Sequence, residues 1–294
     1  MKRYRFNLIA IGFVSLLLFG MVACDQAKFL DNVDKSNLND GTQWASNTNA
    51  DIFLNDIYNG LVNKWNSTEN NDYYSDDYNI SHYYTASNWR QGVEQAPSSP
   101  TSNPWFGTEG PTENLNWSAF FQRLRRCNTF LQKIEENKDN YPTDWYNKRV
   151  DEVRFIRAYF YSEIFMHTGG MPIITVPLDR STMSDDEMKF PRSSFGDTFD
   201  WITGELGDIV SDGYLAVKYS AGDPDAGRAT LGAALALKGW LELFAASPLF
   251  NSGTPYLSDP DNVVHFGTPR PNLYAQAAAT NKQFIDNYGN GSPK

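Results

Sequence analysis

The stretch from Glu152 to Pro172, EVRFIRAYFYSEIFMHTGGMP, constrains this chain more than any other. Val153, Ile156, Phe160 and Ile164 recur at helical spacing, and Phe155, Tyr159 and Phe165 make a second apolar row. A surface helix needs one such stripe, so a helix with two is packed between two neighbours. Gly169 and Gly170 supply a left-handed C-terminal residue, and Pro172 forbids continuation. Glu152, Arg154, Arg157 and Glu163 interrupt the apolar surface. Arginines three apart beside a buried face predict ion pairs to adjacent helices rather than catalytic groups.

Other segments follow the same period. Ile52, Phe53, Ile57, Tyr58, Leu61 and Trp65 predict a first helix over 50–65, with Asp51 near its start and Gly60 as a weak point. Trp117, Phe120, Phe121, Leu124, Cys127, Leu131 and Ile134 form the stripe of a second. Cys127 reads as a small core residue and Asn128 as a structural one, bonded to a neighbouring backbone. Pro142 opens the helix running from about Trp145 to His167. Ile173, Ile174, Val176 and Leu178 suit a short extended piece. Ser193 or Ser194 caps a helix bearing Phe195, Phe199, Ile202, Leu206 and Ile209, and Asp225 serves a helix start as cap or dipole partner. In 227–250, Gly232, Ala233, Ala236, Gly239 and Ala245 leave a small-residue face for close approach of another helix. Leu235, Leu237, Trp240, Leu241 and Phe244 fill the other side, and Pro248 ends the run. A last helix covers about Pro271 to Tyr288.

The N-terminus differs in kind. Lys2, Arg3 and Arg5 precede an apolar run from Leu8 to Ala23, too short to span a membrane comfortably and followed by no stop-transfer charges. Met21-Val22-Ala23-Cys24 looks like a lipobox. Residues 1–23 therefore read as a lipoprotein signal peptide, Cys24 as the lipidated residue, and 24–46 as anchor and tether. The membrane is reached through that lipid. Cys127 is the other of the chain's 2 cysteines, which leaves no intrachain disulfide once Cys24 is lipidated.

Residues 66–113 lose all apolar periodicity, yet carry Tyr73, Tyr74, Tyr78, Tyr83, Tyr84, Trp89, Trp105 and Phe106 among Asn, Asp, Ser, Gly and Pro. Disordered segments are poor in aromatics, so this insert reads as an ordered, irregular surface lobe. Flat rings stack on the apolar face of a sugar while amide, carboxylate and guanidinium groups read its hydroxyls. Tyr84, Asn88, Trp89, Arg90 and Trp105 are the candidate ligand-binding residues; each ring, taken singly, also suits a role in seating the lobe on the helices.

Three segments resemble one family. Glu152, Arg154, Phe155, Arg157, Ala158 and Tyr161, with Gly169, Gly170 and Pro172, match the E-x-R-F-x-R-A-x-x-Y … G-G-x-P signature of SusD/RagB lipoproteins, which serve nutrient uptake in Bacteroidetes. The run W-x-x-x-F-x-x-L-x-x-C-N from Trp117 to Asn128 is similar to the family's second signature. GRATLGAALALKGWLELFAASPLF, residues 227–250, is similar to a third. The resemblance implies an all-α, tetratricopeptide-repeat-like helical solenoid with long inserted loops, over 47–294. It also implies a glycan-capturing lid on a TonB-dependent outer-membrane transporter, facing the cell exterior. Members of the family are usually longer, so the chain is expected to match the N-terminal half or so and to stop short of the rest. A peptide ligand in place of a glycan, or a helical-repeat adaptor without a small ligand, are the alternatives.

Other chemistry finds little support. His82, His167 and His265 lie at no metal-site spacing, and no nucleophile elbow, Walker loop or dinucleotide fingerprint occurs. Asp72, Asp76, Asp77 and Asn79 match no calcium loop and read as a solvated turn. With 35 acidic residues, candidate carboxylate pairs for a glycoside hydrolase are trivially available, and no enzymatic activity is expected. No cofactor is implied. A net charge of −10 without a basic patch argues against nucleic acid.

Overall fold

The computed structural model describes residues 40–61 and 117–288. They form seven helices: α1 (Asp40–Gln43), α2 (Asn47–Asn59), α3 (Trp117–Glu136), α4 (Thr143–Thr168), α5 (Phe195–Asp212), α6 (Leu231–Ala246) and α7 (Leu273–Tyr288). No strand occurs among the described residues. Consecutive helices pack on one another along the chain, α2 on α3, α3 on α4, and so on to α7. This is the pattern of a helical repeat in which each element contacts chiefly its neighbours.

The central helix is α4. Val153, Ile156, Phe160, Ile164 and Phe165 are buried, and Phe155 and Tyr159 pack partly buried against the same core, so both apolar rows find neighbours. On α3, Phe120, Leu124, Cys127 and Ile134 are buried as the stripe requires. Burial pushes the Cys127 thiol up to about 12 against the opposing pull of Arg157, leaving an inert core thiol. Ser194 caps α5 by accepting from the Asp197 N–H at 3.0 Å.

Four features differ from the sequence reading. The helical body begins inside the stretch read as tether: Asp40–Gln43 is helical and Trp44 is buried beside Phe53 and Phe130. In α2, Ile52 faces solvent while Ala50, Leu54 and Ile57, at i, i+4 and i+7, face the core. Residues 172–178, read as a short extended piece, are held by side chains of α3 and α4 and join no sheet, which is no departure from that reading. Thr230, not Asp225, caps α6. Trp240 is 47% exposed, because α4, α5 and α7 take three sides of a mostly apolar helix and leave Trp240 and Leu243 on the fourth.

The small face of α6 behaves as expected. Gly232 faces the Tyr288 ring, and Asn281 donates from Nδ2 to the Gly239 carbonyl at 3.1 Å. A Cβ on Gly239 would sit 2.8 Å from Asn281 Oδ1, closer than real side chains come.

Candidate functional site

The insert leaves the helical body after Leu61 and returns at Trp117. Around its root, an added Cβ on Gly60 would meet Arg123 and the Phe160 ring at 3.5 Å each. The Arg123 guanidinium lies 5.7 Å from the centre of that ring. Phe120 meets Phe121 and, edge-on, Tyr161 at 5.3 Å between centroids. The last turn of α2 and the first turns of α3 thus meet Phe160 and Tyr161 of α4 in an aromatic base. Cys24, Tyr84, Asn88, Trp89, Arg90 and Trp105 lie outside the described residues.

A buried polar network fixes α2 to this base. Arg149 donates to Asp51 at 2.8 Å, to Glu152 at 2.8 Å and to Asp225 at 2.9 Å. Arg228 joins Glu152 and Asp225 at 3.0 Å each and donates to Asn55 at 2.7 Å. The Tyr58 hydroxyl donates to the fully buried Glu152 and accepts from the Ala229 N–H at 2.9 Å. Burial would raise the Asp225 carboxyl, but hydrogen bonds from Arg149 and Lys148 outweigh it and hold it at about 2. Burial and the neighbouring Glu152 charge push the Tyr58 hydroxyl well above its ordinary value, so it stays a donor. In the sequence Glu152 stands out only as a charge that interrupts the apolar surface of α4. Arg149 was not singled out, although its position three residues before Glu152 is a readable signal; Tyr58 and Arg228 carried none.

On the opposite face of α4, Arg157 pairs with Glu205 at 2.9 Å, and Arg154 with Asp151, Glu205, Asp208 and Asp212 at 3.1–3.5 Å. Those to Glu205, Asp208 and Asp212 are the predicted ion pairs to an adjacent helix, here α5, while Asp151 lies on α4 itself. Burial, and secondarily the charge of Asp212, raise the Asp151 carboxyl to about 6 against the pull of Arg154, and its Oδ2 has no partner. An acid raised above its unfolded value of 3.8 stabilises the fold fully below that value, and the contribution is lost as pH rises through 6. Asp151→Asn should therefore gain on the parent by about 1–2 kcal/mol between pH 4 and pH 7.5, after allowance for solvent screening. Urea unfolding at the two pH values reads this; a pH-independent difference would mean that Asp151 titrates alike in the folded and unfolded chain.

The third feature is a groove of about 560 Å³ between α3 and residues 172–190. Its floor is the extended run held from inside. Tyr161 donates to the Pro172 carbonyl at 3.0 Å and accepts from the Ile174 N–H at 2.8 Å. Asn128 Nδ2 reaches the Ile174 and Val176 carbonyls at 2.9 and 3.2 Å, and Arg125 donates to the Leu178 carbonyl. Every second carbonyl is thus satisfied by a side chain, which does the work of a neighbouring strand. Asn128 is structural, as its sequence context implied. No group of His, Cys, Asp or Glu able to hold a metal occurs among the described residues.

Helices stacked in chain order define a helical-repeat scaffold. The chain belongs to the SusD-like family: the family model described as starch-binding and associating with the outer membrane matches residues 28–220. A SusD-like protein of Formosa agariphila is 25% identical over 223 residues, which are 74% of this chain and 41% of that protein. The fold matches a SusD-like protein of Bacteroides fragilis with a TM-score of 0.51 at 23% identity, over 73% of this chain and 37% of the other. It also matches a SusD homologue of Bacteroides thetaiotaomicron with a TM-score of 0.53 at 19% identity, over 84% and 42%. The chain spans well under half the length of these relatives. These neighbours are tetratricopeptide-repeat-like helical proteins. The family comprises non-enzymatic carbohydrate-binding proteins.

Proposed function

We propose that this chain is the capture part of a lipid-anchored outer-membrane protein that binds oligosaccharides without hydrolysing them. The observation that carries the reading is the insert at 66–113, whose aromatics and amides are set into a SusD-like helical body between α2 and α3. Trp89 and Trp105 stack on sugar faces, Tyr84 adds a third ring, and Asn88 and Arg90 read hydroxyls. Each stacking contact contributes about 0.5–1.5 kcal/mol beyond area burial, so binding is weak to micromolar, which suits a ligand that is handed on. Lipidation at Cys24 holds the body at the membrane, facing the exterior, and a TonB-dependent transporter receives the ligand. Trp89→Ala and Trp105→Ala should weaken oligosaccharide binding while leaving the melting temperature unchanged. An equal loss of both would assign the two rings to the packing of the lobe.

A further inference from the structure

The groove between α3 and residues 172–190 calls for an occupant other than a sugar. Its walls are Phe121, Leu124, Ile174, Val176, Met188 and Phe190, mostly aliphatic, with Val176 57% and Phe190 36% exposed. Leaving such side chains in water is unfavourable, and a cleft of this size suits one or two apolar groups. The Asn128 amide is committed inward, both to the floor carbonyls and, through Oδ1, to Arg157 at 2.9 Å. The cation of the groove is Arg125.

Three arginines stand close together on α3, and they are used differently. Arg126 pairs with Asp56 at 2.5 Å, and Arg123 covers the Phe160 ring. Arg125 is exposed at the groove and donates to the Leu178 carbonyl, but forms no ion pair among the described residues. Asp179 feels the Arg125 charge, yet its Oδ1 accepts from the N–H of Ser181 at 2.8 Å and from its hydroxyl at 2.7 Å. A guanidinium has five donors in a planar fork, and one bond to a carbonyl leaves the rest for an oxyanion.

From this charge complementarity we infer that the groove is a docking seat for an apolar side chain with a carboxylate beside it, as at the C-terminus of a peptide segment ending in Leu or Phe. The side chain lies over Val176 and Phe190, and Arg125 takes the carboxylate. This inference does not depend on oligosaccharide capture.

The test uses the full chain and two probes, N-acetyl-Leu-Phe with a free carboxylate and the same dipeptide as its amide, in calorimetric titrations. The acid should bind at least tenfold tighter than the amide. Arg125→Gln should abolish that difference with the melting temperature unchanged, and Val176→Asp, on the other wall, should weaken both probes. Absence of binding by either probe, equal binding of acid and amide, or a preference that survives Arg125→Gln would overturn the assignment.

Discussion

Arg149→Leu should destabilise the chain by about 3–5 kcal/mol in urea unfolding, because it strips partners from a carboxylate that has no access to water. Glu152 is fully buried and would keep only Arg228 and Tyr58. Asp51 and Asp225, each about a quarter exposed, would lose the cation that joins α2 to the loop before α6. The cost arises from the stranded charge more than from the attraction lost. The double variant Arg149→Leu, Glu152→Leu should therefore recover part of the loss, since an apolar pair carries no buried charge. Arg126→Ala is the contrast: the Arg126–Asp56 pair is about half exposed on both sides and should be worth at most about 0.5 kcal/mol. A loss below about 1 kcal/mol for Arg149→Leu would mean that water reaches the network and that it does not set the position of α2.

Gly169→Ala should be comparably severe. Gly169 sits at φ 77 and ψ −141, a region that is nearly exclusive to glycine, rather than in the left-handed helical well. An added Cβ would also lie 3.1 Å from the Val263 carbonyl carbon and well inside contact with its oxygen. Strain of about 1–3 kcal/mol and overpacking of similar size act together, so a loss of about 3–5 kcal/mol is expected by thermal or urea unfolding. The neighbouring Gly170 donates its N–H to that same Val263 carbonyl at 2.6 Å, so the 251–272 loop should loosen with it. Gly213→Ala offers a milder comparison: its φ is 73 but nothing lies within 4 Å of a Cβ there, which leaves the strain alone.

These two sites show how far the sequence could be read. The Gly169-Gly170-Met171-Pro172 stop was legible as a helix end, but its main reason was not. The loop that crowds Gly169 comes from residues almost a hundred positions later, and no local pattern announces that contact. The same holds for Arg149, which meets Asp51 and Asp225 from far along the chain in both directions. Helix periodicity fixed α3, α4 and α5 because each buries a stripe against two neighbours. It misjudged Ile52 and Trp240 because hydrophobicity alone does not say which side of an apolar helix is left open. Residues 172–178 look like a strand, since their backbone is extended, yet Tyr161, Asn128 and Arg125 supply the partners from helices. Of the candidate site, the aromatic insert is a reading of the sequence alone, since residues 66–113 lie outside the described residues. The groove beside Arg125 was not legible there, because Met188 and Phe190 sit in a segment with no period.

Glycan capture is assigned here to the 66–113 insert. Native affinity electrophoresis of the chain from Asp25 onward, through gels carrying different plant and host polysaccharides, tests that assignment most directly. Retardation in one glycan gel, absent in a Trp89→Ala, Trp105→Ala double variant that melts at the parent temperature, is the predicted result. Equal mobility in every gel, or retardation that the double variant retains, would contradict it.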